Sequence, residues 1–407
     1  MANALRALAD ALGDDGDDGA AANAIVDGAD GGSGALPHLL RTALRSDAAP
    51  AHAAARVLTN LAASNSRAAN AAAAECAHAL VALVAAPPNS ACAGQAAWAL
   101  GNLAASDAVA VWRLGALPAL VAIAAGSDDG AAAETALWAL ANVLRAPEAA
   151  LRAARDTELV RALSARVAHA PPTVAAEAAW AACELACSAR TGLAAAFSGA
   201  DGPVTLSAWE ALVSALADRF VLACATVVDA RLAVPLARSL AHAACACGDN
   251  EREIGAPLAR AALAGRSASL GAVLGRAVHA GASHAGMGLG AMAREVAWAA
   301  ANLAAACTPQ QREELRMCKP LVRALCDALA AGSSTPAACG AGVSSASLSA
   351  EAARALYALV RAPPLTPATV VVARAVTAAS GGAVASEGAD AEEAALRTAL
   401  ATAVGAL

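Results

Sequence analysis

Tryptophan is scarce in this chain of 407 residues, yet four of its six copies recur at one position of a repeating pattern. Trp98, Trp138 and Trp298 are each followed four residues later by an amide: Asn102, Asn142 and Asn302. Trp180 shares that register, with Glu184 in the amide's place, and Asn60 follows Arg56 at the same interval. Positions i and i+4 lie one turn apart on one helix face. An Asn side chain offers both donor and acceptor, so it can hold the backbone of an extended peptide whatever its sequence. A Trp ring offers a flat, electron-rich face to the stem and charged head of Lys or Arg. Glu134, Glu177 and Glu295 stand three or four residues before Trp138, Trp180 and Trp298 and can add counter-charge, although the macrodipole alone favours acids near a helix start. A Trp repeated at helical spacing is usually core. An amide repeated beside it, however, would need a buried hydrogen-bond partner in every copy. The paired recurrence therefore predicts an exposed groove for a cationic peptide, each cation–π contact contributing about 0.5–1 kcal/mol. Trp112 and Trp209 fall outside the register and read as packing residues.

The elements that hold these residues repeat with them. Positions 56, 98, 138 and 180 are 42, 40 and 42 residues apart, the period of two- or three-helix armadillo or HEAT units. Arg238 and Arg354 mark weaker copies on either side of Trp298. Gly34-Ala35-Leu36-Pro37, Gly115-Ala116-Leu117-Pro118 and Gly255-Ala256-Pro257-Leu258 run in phase with the first landmark. In each, Gly permits a sharp turn and Pro suits the first helical turn. The predicted fold is all-α: a right-handed armadillo-type superhelical solenoid of about 7–9 repeats of ~42 residues. Its expected limits are 35–379, with inserted loops near 265–290 and 331–349. An acidic, Gly-rich segment with a short helix (1–34) precedes it, and an acidic tail or helix (380–407) follows.

Composition narrows the function class. Hydrophobic residues make up 58% of the chain and aromatics 2%, which suits closely stacked Ala-rich helices. Charged residues interrupt nearly every apolar run, and the N-terminus lacks a basic region followed by an apolar core, so neither a membrane partner nor a signal peptide is expected. Eleven cysteines form no C-x-x-C pair and read as free thiols, and no metal site or other cofactor is expected. No P-loop, dinucleotide fingerprint or nucleophile elbow is present, so an enzyme is not expected. Gly286-x-Gly288-x-Gly290 reads as linker. A formal charge of −6 disfavours a nucleic-acid reader and is compatible with basic partners.

The text around these residues resembles the importin-α family. That family's A-x-W-A-L-x-N-I/L motif is matched at Trp98/Asn102, at Trp138/Asn142 and closely at Trp298/Asn302. Residues 55–66 resemble its first groove repeat, with Arg56 in place of Trp. The resemblance implies a receptor for basic nuclear-import signals of cargo proteins, working in cytoplasm and nucleus. It implies a major groove of Asn60, Gln95, Trp98, Asn102, Trp138, Asn142, Glu177 and Trp180. It also implies a minor groove of Arg238, Glu295, Trp298 and Asn302. Residues 1–53 carry only Arg6, Arg41 and Arg45 as cations, so the family's basic importin-β-binding segment has no counterpart and importin-β is not an expected partner. The other reading is a general armadillo scaffold whose groove serves another purpose.

Overall fold

The computed structural model describes residues 1–13, 35–64, 66–189, 193–198, 200–225, 228–245, 252–283, 289–331, 345–361 and 366–380, besides a few isolated positions. The described residues are helical or connect helices, and the chain divides into two compact units, Met1–Ala189 and Arg190–Leu407. The fold is an all-α helical-repeat solenoid. No single helix among the described residues is long and apolar enough to cross a membrane.

Unit 1 runs α1 (Ala2–Gly13), α2 (Ala35–Leu44), α3 (Ala48–Ala63), α4 (Arg67–Glu75), α5 (Ala77–Ala85) and α6 (Ser90–Ser106). It continues with α7 (Ala108–Arg113), α8 (Ala116–Gly126), α9 (Gly130–Leu144), α10 (Pro147–Ala153), α11 (Thr157–His169) and α12 (Pro172–Ser188). From α4 onward each repeat is a short, a middle and a long helix. The long helices α1, α3, α6, α9 and α12 stack in sequence as one layer, and the middle helices α2, α5, α8 and α11 form a second. Side-chain caps punctuate the order. Asn89, Asp107, Asp129 and Asp156 accept from free backbone N–H groups at the starts of α6, α7, α9 and α11, each cap contributing about 1 kcal/mol. Gly115 takes the left-handed conformation (φ 81°) that turns α7 into α8, as its place before Pro118 predicts.

Unit 2 runs α13 (Leu193–Ser198), α14 (Gly202–Ala223), α15 (Ala230–Ala244), α16 (Arg252–Leu263) and α17 (Ser267–Ser283). Then come α18 (Leu289–Ala306), α19 (Pro309–Met317), α20 (Lys319–Ala331), α21 (Ser345–Arg361) and α22 (Pro367–Ser380). Here α15, α18 and α21 form the long-helix layer, and α14, α17, α20 and α22 the middle-helix layer. The repeats are longer than the expected period: Arg238, Trp298 and Arg354 stand 60 and 56 residues apart.

The core is built from Ala and Leu. Helix α6, for example, buries Ala93, Ala96, Ala97, Leu100, Gly101, Leu103 and Ala104, small side chains that let neighbouring backbones approach closely. Trp209 is a core residue, as expected, with Phe197 meeting it edge-on at 6.3 Å.

Two boundary expectations are corrected. The stretch 265–290 is not an inserted loop, because Ser267–Ser283 is α17, the middle helix of its repeat. Gly271, Gly275 and Gly281 of α17 are close-approach positions. A Cβ on Gly275 would stand 2.6 Å from the Leu321 nitrogen and from the carbonyl of Pro320. Pro257 lies inside α16 rather than at the start of a middle helix; the turn that its glycine was expected to make is made by Gly265 (φ 67°). The expected loop at 331–349 falls largely, and the tail at 380–407 almost wholly, outside the described residues, as does Gly286-x-Gly288.

Candidate functional site

In unit 1 the expected residues come together on the long-helix layer. Asn60 lies on α3, Gln95, Trp98 and Asn102 on α6, Trp138 and Asn142 on α9, and Glu177 and Trp180 on α12. Trp98 is 50% exposed, while Trp138 and Trp180 are half-buried. Five long helices in register place these side chains in two rows about 8–10 Å apart from helix to helix.

The amides are partly engaged within the protein. Asn60 Nδ2 donates to the Ala9 carbonyl of α1 at 2.8 Å, and Asn102 Nδ2 to the Thr59 carbonyl of α3 at 3.1 Å. Each bond staples one long helix to the one before it at equivalent positions. An Asn side chain has two N–H groups and an oxygen, so one N–H serves the fold and the remaining polar capacity can face a ligand. Asn142 makes no such bond among the described residues. Gln95 is likewise tied down: its Nε2 donates to Thr59 Oγ1 at 2.7 Å, and that hydroxyl donates to the Ala55 carbonyl at 2.9 Å. Gln95 therefore acts as an inter-helix clasp.

The Trp seats are specific. A Cβ on Gly101 would stand 2.7 Å from Trp138 Cε3 and closer still to Cζ3, so the ring rests on the bare backbone of the preceding long helix. Thr59 occupies the equivalent position of α3, one repeat back.

Electrostatics distinguish the two ends of this face. At one end, Arg56 Nη2 donates to Asp10 Oδ1 at 2.8 Å. Asp10 lies four residues after Arg6, so α1 carries the same register as the later long helices, and Ala4-Leu5-Arg6-Ala7-Leu8-Ala9-Asp10 is another copy of the pattern. The segment 1–34 was not expected to contain one. At the other end, burial and, to a lesser degree, the Glu134 charge push the Glu177 carboxyl up to about 7. Neither Glu134 nor Glu177 forms an ion pair among the described residues. Two neighbouring carboxyl groups beside Trp138 and Trp180 thus lack an internal cation.

In unit 2 the expected minor-groove residues also assemble, on α15 and α18. Asn302 Nδ2 donates to the Ala241 carbonyl at 3.1 Å, repeating the staple of unit 1. Trp298 meets His242 edge-on at 4.8 Å, His242 standing four residues after Arg238. Glu295 departs from expectation as a counter-charge for a ligand. It is only 6% exposed, and it pairs with Arg238 (Nε to Oε2, 3.4 Å) and with the Arg294 guanidinium. The cause is burial: a carboxylate enclosed by Ala-rich helices must find cations within the fold. Arg238 is engaged by the same contact.

Thr59, Gly101, Asp10 and His242 were missed by sequence reasoning. Asp10 was legible in the repeated register, and Gly101 as an isolated glycine inside a helical pattern. His242 was legible in the same register, four residues after Arg238, whereas Thr59 gave no signal.

Fold and site together define a helical-repeat protein presenting a ladder of Trp and amide side chains on its long-helix layer. No family model and no curated protein matches the sequence. Among solved structures, the chain is similar to an engineered protein at 23% identity and TM-score 0.70, covering 99% of this chain and 84% of that one. A second engineered protein is 26% identical, with TM-score 0.46 over 59% of this chain and 89% of its own. A designed armadillo repeat protein, described as in complex with the peptide (KR)4, is 19% identical, with TM-score 0.46 over 65% of this chain and 98% of its own. The first of these likenesses establishes the helical-repeat fold.

Proposed function

We propose that unit 1 is a peptide-binding module whose Trp/Asn ladder receives an extended Lys- or Arg-rich segment of a partner protein, of the kind that serves as a nuclear-import signal. The observation that carries this reading is the conjunction of Trp98, half exposed, with an acidic pair, Glu134 and Glu177, that has no internal cation. An extended peptide advances about 6.6 Å per two residues, so alternate cationic side chains can enter successive slots between the rings. The spare polar capacity of Asn102 and Asn142 would meet the peptide backbone between them. On this reading the chain is a non-catalytic receptor that meets its cargo in the cytoplasm and the nucleus. The Arg56–Asp10 pair closes one end of the ladder, which leaves the slots around Trp98, Trp138 and Trp180.

The test is a fluorescence-anisotropy titration of a labelled Lys-rich import-signal peptide against its Lys→Ala version. The Lys-rich peptide should bind with a steep loss as ionic strength rises, and Trp98→Ala with Trp138→Ala should abolish binding. Equal binding of both peptides, or indifference to the double substitution, would reject the basic-signal reading and leave a general protein-interaction scaffold. The engagement of Glu295 and Arg238 with each other favours that alternative for unit 2.

A further inference from the structure

The middle-helix layer of unit 2 holds a cavity of about 910 Å³ between α17, α20 and α22. Its rim is cationic. Arg276 and His279 come from α17, and Lys319 and Arg323 from α20, with Asp327 the one carboxylate among the lining residues. All five side chains are exposed, and none forms an ion pair among the described residues. The nearby Arg316 is different. It is buried, donates to the Leu359 carbonyl at 2.7 Å and pairs with Glu313 at 3.1 Å, so it belongs to the wall.

Three features point to a binding site rather than a scattered charged surface. First, the cations converge across two helices held in unusually close contact, Gly275 letting the α17 backbone touch the first turn of α20. Second, that first turn carries no acidic residue, so the positive end of the 13-residue helix α20 adds to the field of Lys319 and Arg323. Third, the lining includes accessible apolar side chains, the 63% exposed Val371 and the partly exposed Ala375. The volume lies within the range of ordinary ligand pockets.

We infer that this cavity docks an acidic segment of a partner protein, carboxylates meeting Arg276, Lys319 and Arg323 while an apolar side chain covers Val371 and Ala375. Charge complementarity selects the partner. A nucleic-acid strand would call for broad aromatic platforms on which successive bases stack, and the lining holds no Trp, Tyr or Phe. An inorganic anion alone would leave Val371 uncovered. The inference is independent of the ladder in unit 1 and concerns a partner of opposite charge.

The experiment uses the full chain and a short fluorescein-labelled peptide of Glu and Asp flanking one Leu. Binding should weaken as salt rises. Arg323→Glu should reduce affinity roughly fivefold to tenfold, since it removes one exposed pair and adds one repulsion. Asp327→Asn, which removes the lone carboxylate of the lining, should tighten binding roughly twofold to fivefold. Trp98→Ala should change nothing. The inference is overturned if the Gln/Asn version of the peptide binds equally well, or if Arg276→Glu with Arg323→Glu leaves affinity unchanged while the variant keeps the parent's circular dichroism. It is also overturned if Asp327→Asn has no effect, or if a single-stranded oligonucleotide outcompetes the peptide.

Discussion

Replacing Gly101 by Ala should change sign in its effect on stability according to what stands at position 138. In an isolated helix this substitution stabilises by about 1 kcal/mol, because Gly loses more backbone entropy on folding. Here the new methyl would overlap the Trp138 ring, and forcing extra volume into a packed contact costs about 1–3 kcal/mol. The expected net effect in the parent is therefore a loss of about 0–2 kcal/mol. With Trp138→Ala already in place the ring is gone, and the closest remaining neighbour is Ala139 Cβ, at 3.1 Å. That contact is tight but needs only a slight adjustment, so Gly101→Ala should then stabilise by about 0.5–1 kcal/mol. The double-mutant cycle should return a coupling of about 0.5–3 kcal/mol. Urea denaturation followed by far-ultraviolet circular dichroism, with unchanged slopes across the four variants, measures it. A gain of the same size in both backgrounds would show that the ring does not rest on Gly101, and the seat described for Trp138 would be wrong.

The remaining predictions concern charge and packing elsewhere. Glu177 has a raised folded-state pKa, so its ionised form is disfavoured in the free protein. Its contribution to stability is present in full below its ordinary 4.5 and is lost as pH rises through about 7. A cationic peptide favours the ionised form, so affinity should climb between about pH 5 and 7 and level above that. Glu177→Gln should flatten the profile, which anisotropy titrations across that range will read. Gly275→Ala should destabilise unit 2 by about 1–3 kcal/mol, because the added methyl meets backbone atoms that have no rotamer with which to yield. Thermal denaturation checks it. Arg238→Ala leaves the buried Glu295 with Arg294 as its ion-pair partner and should cost about 1–3 kcal/mol, without altering basic-peptide affinity in unit 1.

The solenoid was legible because its evidence is redundant: each copy of the pattern repeats the same apolar face, and one degenerate copy does not hide the others. Helix α17 was illegible for a physical reason. Gly271, Gly275 and Gly281 depress helix propensity in isolation, and only the presence of close neighbours in α18 to α20 explains why they are helical. The site divides in the same way. The register that gathers Trp98, Trp138 and Trp180 follows from spacing alone. The fate of each polar group does not, because it depends on which acceptor lies across the next helix. Asn102 finds the Thr59 carbonyl, 43 residues away in sequence, and Glu295 finds Arg238, 57 residues away. A single sequence states neither distance.

The staples of Asn60, Asn102 and Asn302 bear on more than cohesion. Helices packed through alanine present smooth surfaces, and little opposes one sliding along another by a residue's rise of about 1.5 Å. An amide locked to one particular carbonyl acts as a detent, since such a slip breaks the bond. Between α1, α3 and α6 the register is thereby held by hydrogen bonds, and between α6 and α9 by the Trp138 ring seated on Gly101. Stripping Asn60 and Asn102 of their amides should leave the helices intact but let α3 creep against its neighbours, so that a peptide would meet a ruler whose first marks no longer hold their spacing.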